Sequence, residues 1–276
     1  MRTWLLVFGM ILCSAVMAKA QLILPDFPTN IEIYRAFGQE HPGPYKHPAA
    51  IEQLDNGDLY IAYYGGANEY DDNTAVYGSR LAVGQTEWSA PVVIADTPMQ
   101  GEGNPVVWQA PDGLVWLFYV NRVGDTWSNS RIKGKISKDG ANTWSDSFML
   151  TYEEGTMVRN QPILLTNGDY LLPVYVEKGG DREEVGSGTS GFFLRFNPST
   201  KQWSQSGLIH SEKGNLQPAV VQLSDNDLIC YLRRGGGYGP TTEGWMLQSE
   251  SHDGGQTWSD ARKTEFPNPN AAVECI

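Results

Sequence analysis

The sequence predicts an all-β protein, a propeller built of four-stranded blades, and three observations carry that reading. Prolines open four similar segments at Pro48, Pro105, Pro162 and Pro218, spaced 57, 57 and 56 residues apart. A Trp-Ser dipeptide recurs at Trp88, Trp144, Trp203 and Trp258, at spacings of 56, 59 and 55 residues. Two independent markers with one period define a repeat the size of one propeller blade. The third observation is that no helical periodicity of useful length follows residue 20.

Taken in order, the chain starts with a basic Arg2, an apolar run from Trp4 to Met17, and Ala18-Lys19-Ala20 before Gln21. This is the pattern of an export signal over residues 1–20, too short and wrongly flanked for a membrane span. It places the mature domain at 21–276 and the protein in a secreted or periplasmic location. Residues Ile31 to Phe37 read as a lone strand. Each repeat then runs from its proline through an apolar strand, a tight turn and a second apolar strand. The turns are Asn56-Gly57, Asp112-Gly113, Asn167-Gly168 and Asp225-Asn226, residue pairs suited to hairpins. Strand order puts these turns and the Trp-bearing turns on one face of the propeller. The long loops 65–74, 121–131, 177–191 and 234–244 fall on the other face, where binding residues are expected. Residues 268–276 read as the start of a fifth unit, so the chain is expected to be C-terminally incomplete, with about four blades plus one strand present.

Composition narrows the function. The net charge is −12, and −14 without Arg2 and Lys19, which argues against nucleic acid and anionic membranes as partners. After residue 20 only Cys230 and Cys275 remain, and no CxxC or HExxH occurs. No metal, cofactor or disulfide framework is therefore expected. Pairing of the two cysteines and the oligomeric state stay open.

The octapeptide SHDGGQTW at 251–258, with a weaker copy SKDGANTW at 137–144, resembles the Asp box of the sialidase (neuraminidase) superfamily with BNR repeats. The weaker copy has Ala141 where the pattern wants glycine. Similarity to the predicted-neuraminidase branch rests on His47, the Gly65-Gly66-x-x-Glu69 loop, Asn104-Pro105, Arg159-Asn160, Gln217-Pro218 and Asn268-Pro269-Asn270. The resemblance implies a six-bladed sialidase-like β-propeller and an exo-sialidase-like glycoside hydrolase acting on a terminal acidic sugar of a glycan or glycoconjugate. The alternative is a non-catalytic glycan-binding propeller.

Such chemistry takes three arginines for the substrate carboxylate, an Asp as acid and base, and a Tyr nucleophile activated by a Glu. The resemblance places the acid and base in the loop holding Glu69, Asp71 and Asp72, with Asp72 preferred and then Asp71. An exposed acidic loop or a calcium loop is the other reading. Lys46 stands where the first arginine is expected, as an anion contact or a solvated lysine, and His47 follows it. Arg233 takes the place of the second arginine. Gln217 occupies the position of the activating Glu and cannot act as a base. Arg159 adds a cation, Asn104, Asn160 and Gln161 are hydroxyl-binding amides or inter-blade ties, and Trp127 offers a face to a sugar. The third arginine and the Tyr are assigned to blades that this sequence does not contain.

Overall fold

A computed structural model describes residues 35, 36, 38, 39, 41–182, 184–237 and 244–275. Apart from Arg35 these belong to one compact unit, Ala36–Ile276. The signal segment lies outside the described residues, as does the strand expected at 31–37 apart from Arg35 and Ala36, which are in no strand.

Four antiparallel sheets follow one another along the chain. The first comprises β1 (Tyr45–Gln53), β2 (Leu59–Gly66), β3 (Ala75–Leu81) and β4 (Val92–Ala95). The second comprises β5 (Gly101–Gln109), β6 (Val115–Arg122), β7 (Ser130–Ser137) and β8 (Phe148–Met149). The third has β9 (Thr156–Val158), β10 (Ile163–Leu164), β11 (Tyr170–Val176), β12 (Ser190–Asn197) and β13 (Gln202–Gln205). The fourth has β14 (Asn215–Gln222), β15 (Leu228–Arg234), β16 (Trp245–Ser251) and β17 (Arg262–Pro267). These are the blades of a β-propeller. Their first strands meet at the centre, where Gln161 Nε2 donates to the backbone carbonyls of Ile51 and Val107 at 3.1 and 2.8 Å. Residues 268–275, read from sequence as opening a fifth strand, form none.

Apolar side chains interleave between blades. One cluster joins Val106, Phe118 and Val120 of the second blade to Leu172, Val174 and Phe192 of the third. Another joins Tyr60, Ala62 and Val76 of the first blade to Val107, Val115 and Leu117 of the second. Burying such side chains is the main stabilising term, about 1.5–3 kcal/mol each. Three tryptophans of the Trp-Ser pairs are only partly buried: Trp203 packs against the first of these clusters, Trp144 against the second, and Trp258 against a third that joins Leu171 and Phe193 of the third blade to Val220 and Leu228 of the fourth. Trp258 stacks on Phe193 of the preceding blade at 4.5 Å between ring centroids.

The two Asp boxes are turn-forming devices. Asp253 Oδ1 accepts backbone N–H groups from Gln256 and Thr257 at 2.9 Å each. Ser251 Oγ accepts the Gly255 N–H at 2.9 Å. The same bonds recur around Asp139, whose carboxyl is held down at about 2 by bonds from Thr143 and Ser137. Each box is also stapled to the blade before it. Arg195 pairs with Asp169 in its own blade at 3.3 Å and donates to the Gly254 carbonyl of the next. Arg80 pairs with Asp58 at 2.7 Å and donates to the Gly140 carbonyl. Because Asp169 is only 7% exposed, Arg195→Leu leaves a buried carboxylate unpaired. A loss of about 1–3 kcal/mol is expected in urea denaturation.

Ala141 sits at φ 62°, where the stronger box has Gly255 at φ 88°. An alanine there is strained. Ala141→Gly is expected to stabilise the protein by about 0.5–1 kcal/mol despite the extra chain entropy of glycine, read as a rise in melting temperature.

Candidate active site

In every blade the first strand is interrupted where an X-Pro pair occurs. The pairing register shifts between Lys46 and Ala49, between Gly103 and Val106, and between Leu216 and Ala219. In the third blade the interruption splits the strand into β9 and β10, with Arg159-Asn160-Gln161-Pro162 between them. Proline has no N–H for the ladder, and the residue before it is kept out of the helical region. The resulting bulges re-aim the side chain that precedes proline. Asn104 and Gln217 are held at φ 40° and 53°, a conformation costing about 1–3 kcal/mol that is tolerated where surrounding structure imposes it.

These bulges bring His47, Asn104, Arg159 and Gln217 to a cavity of about 430 Å³ on the face opposite the Asp boxes. The ends of second strands supply its deeper wall: Tyr64 from β2, Tyr175 and Glu177 at the end of β11, and Arg233 from β15. Loops add Glu69, Tyr70, Trp127 and Arg182.

Arg233 is 7% exposed. Its Nε donates to Asn270 Oδ1 at 2.8 Å and its Nη1 to Gln217 Oε1 at 3.4 Å. Arg159 has no hydrogen-bond or salt-bridge partner among the described residues. Glu177 is 8% exposed. Burial pushes its carboxyl up to about 7, with Arg233 opposing the shift and Glu69 adding to it. Glu69 has both oxygens engaged, accepting from the Tyr45 hydroxyl at 2.8 Å and from Trp127 Nε1 at 3.2 Å. Tyr175 is 2% exposed, and burial, then the Glu177 charge, push its phenol pKa up. Its hydroxyl lies 3.5 Å from Asn104 Nδ2.

Three loops interlock along one flank. The Tyr70 hydroxyl donates to the Arg182 carbonyl at 2.5 Å, and the Arg182 guanidinium lies 4.8 Å over the Tyr70 ring. Arg182 Nε also donates to the Asp125 carbonyl at 3.0 Å. Trp127 also packs against Tyr70, with ring centroids 5.8 Å apart.

Of the residues singled out from sequence, His47, Glu69, Asn104, Trp127, Arg159, Gln217 and Arg233 line the cavity, and Lys46, Asp71, Asp72 and Asn160 do not. Asp71 is spent on its own loop, accepting the Asn73 N–H at 3.0 Å. Asp72 points to Arg122 at 3.7 Å and its side chain is 67% exposed. Lys46 donates to the Gly43 carbonyl. Asn160 ties blades together, donating to the carbonyls of Pro218 and Val273 at 2.8 and 3.0 Å. Gln161 ties first strands in the same way and bonds Glu52 at 2.6 Å. Asn270, part of the Asn268-Pro269-Asn270 string noted in the sequence, also lines the cavity, whereas Tyr45, Tyr64, Tyr70, Tyr175, Glu177 and Arg182 are lining residues that sequence reasoning did not single out. Tyr175 and Glu177 lie two apart at the end of a strand and so share a face, a signal present in the string YVE but hidden inside an apolar run.

Among the described residues no helix is long and apolar enough to cross a membrane, and no group of three His, Cys, Asp or Glu is placed to hold a metal ion.

The fold is shared with solved sialidases. The chain superposes on the NanB sialidase from Streptococcus pneumoniae with a TM-score of 0.64 at 11% identity, over 85% of this chain and 54% of that one. It matches a leech intramolecular trans-sialidase with a TM-score of 0.68 at 12% identity, over 86% of this chain and 54% of that one. It thus spans about half the length of these two enzymes. A protein of unknown function from Dyadobacter fermentans matches with a TM-score of 0.64 at 17% identity, over 79% of this chain and 69% of that one. Identities this low establish the fold alone. Among curated proteins nothing matches. The BNR repeat-like domain family matches residues 57–276. With its four propeller blades and paired Asp boxes, the chain belongs to the BNR repeat-like domain family and has a sialidase-like fold.

Proposed function

We propose that the protein is a glycoside hydrolase of sialidase-like type acting at a terminal acidic sugar. The observation that carries this reading is the convergence, in one cavity, of two arginines with a carboxyl that stays protonated to about 7. Arg159 and Arg233 supply charge-assisted, bidentate contacts to a sugar carboxylate. Glu177 donates its proton to the glycosidic oxygen as the bond to the anomeric carbon breaks. Glu69, fixed by Tyr45 and Trp127, takes the proton from the incoming water. Asn104 and Gln217 present amides to sugar hydroxyls. The Tyr70–Arg182 clasp walls one flank, which favours a chain end over a chain interior. Export rests on the basic, apolar and small-residue pattern of residues 1–20.

The test is a panel of fluorogenic glycosides of sialic, glucuronic and other sugar acids beside their neutral counterparts. Release confined to acidic sugars is expected. Binding of acidic glycans with no release from any of them contradicts hydrolysis and favours the second reading, a glycan-binding propeller. The observation behind that reading is Gln217, a neutral amide where the sialidase resemblance calls for a carboxylate.

A further inference from the structure

His47 is a titratable side chain in the cavity that hydrolysis leaves unused. It projects from the bulge of β1 ahead of Pro48 and is exposed to the cavity. The rings of Tyr45 and Tyr64 stand 6.2 and 6.3 Å away, yet neither imidazole nitrogen has a hydrogen-bond partner among the described residues. Burial lowers the imidazole pKa; Glu69 opposes this, and Arg159 and Arg233 add to it. The shift favours the neutral ring, the form that can accept a proton.

A neutral base beside two guanidiniums suits one kind of proton in particular. A hydrogen on the carbon next to a carboxylate becomes acidic once cations neutralise that carboxylate and the charge that develops on it. In a uronic acid this carbon, C5, carries a hydrogen. In a sialic acid the carbon bearing the carboxylate carries none, so His47 has no such proton to take.

We propose that the same cavity carries a second activity, β-elimination at a uronate substituted on O4, with His47 as the catalytic base. This rests on the assignment of Arg159 and Arg233 to a sugar carboxylate made above. The C5–H bond breaks and its proton passes to the free nitrogen of His47. The electron pair forms the C4=C5 double bond while the C4–O4 bond breaks. O4 leaves with that bond's electron pair and takes a proton from Glu177. Both fragments are accounted for without water, oxidant or metal. His47 returns its proton to solvent, and Glu177 recovers one.

The probe is an oligosaccharide with a glucuronate substituted on O4, incubated with the whole protein in oxygen-18 water. The expected product absorbs in the ultraviolet through its conjugated double bond, its two fragments add up to the mass of the substrate, and neither carries oxygen-18. His47→Gln lowers the rate at least about 100-fold while calorimetry still shows the oligosaccharide bound. His47→Ala regains rate with added imidazole, which separates loss of a base from misfolding. Cleavage with oxygen-18 incorporated and no absorbance overturns the proposal. So does binding of the oligosaccharide without cleavage, or an unchanged rate in His47→Gln. Failure of the arginine assignment reads differently: neither the uronate oligosaccharide nor a sialoside binds, and both proposals fall together.

Discussion

Glu177→Gln is expected to lower kcat on an acidic glycoside by about 10²–10⁴-fold, the usual contribution of a positioned general acid, with little change in KM. Glutamine keeps the shape and hydrogen-bonding capacity of the protonated carboxyl but has no proton to give. The wild-type pH profile should show the same group. Its carboxyl is raised to about 7 by burial, so the acid form is full well below that pH and is lost as pH rises through it. The rate should therefore fall on the alkaline side with a midpoint near 7, and Glu177→Gln should lack that limb. A raised carboxyl pKa also means that the folded state binds the proton more tightly than the unfolded chain. Its contribution therefore lowers stability as pH climbs from the ordinary carboxylate range through about 7. Activity and stability thus decline together on the alkaline side. A kcat that persists unchanged to high pH would remove Glu177 from the mechanism.

The second large effect is at Arg233. Arg233→Gln is expected to reduce kcat/KM for acidic substrates by about 10–150-fold, corresponding to about 1.5–3 kcal/mol for a hydrogen bond to a charged group. Activity on a neutral glycoside, if any, should not change to that degree. A second consequence follows from the charge. Arg233 opposes the upward shift of the Glu177 carboxyl, so without it the carboxyl rises further and the alkaline limb moves to higher pH. A residue that only braced Asn270 and Gln217 would lower kcat/KM for acidic and neutral glycosides alike. Steady-state kinetics on an acidic glycoside beside its neutral counterpart separates the two.

The fold was legible because its markers are local. The X-Pro bulges, the two-residue turns and the Trp-Ser pairs each fix a short piece of backbone, and repetition at one period turned them into blades. The side-chain partners of the Asp boxes were less visible. Arg80 and Arg195 reach across to the next blade, and nothing in their local strings announces that reach. The site was legible only in part for a related reason. Residues ahead of a proline, such as His47, Asn104 and Gln217, stand out in sequence and do line the cavity. Within the loop Glu69-Tyr70-Asp71-Asp72, the sequence reading prefers Asp72 and then Asp71, yet only Glu69 of the three carboxylates lines the cavity. Backbone geometry decides among them, turning Asp71 back onto Asn73, Asp72 toward Arg122, and Glu69 inward to Tyr45 and Trp127. Glu177 was missed because it ends an apolar strand that reads as core, and its raised pKa depends on burial that no short string encodes.

In the function proposed, Arg159 and Arg233 receive a sugar carboxylate in the cavity on the face opposite the Asp boxes. Calorimetric titration with N-acetylneuraminic acid and glucuronic acid, each beside its neutral methyl ester, tests it most directly. The acids are expected to bind at least about tenfold more tightly than their esters, a gap of about 1.4 kcal/mol, and the gap is expected to close in the Arg159→Gln/Arg233→Gln double variant. Equal binding of acid and ester to the wild-type protein would contradict this role of the arginines.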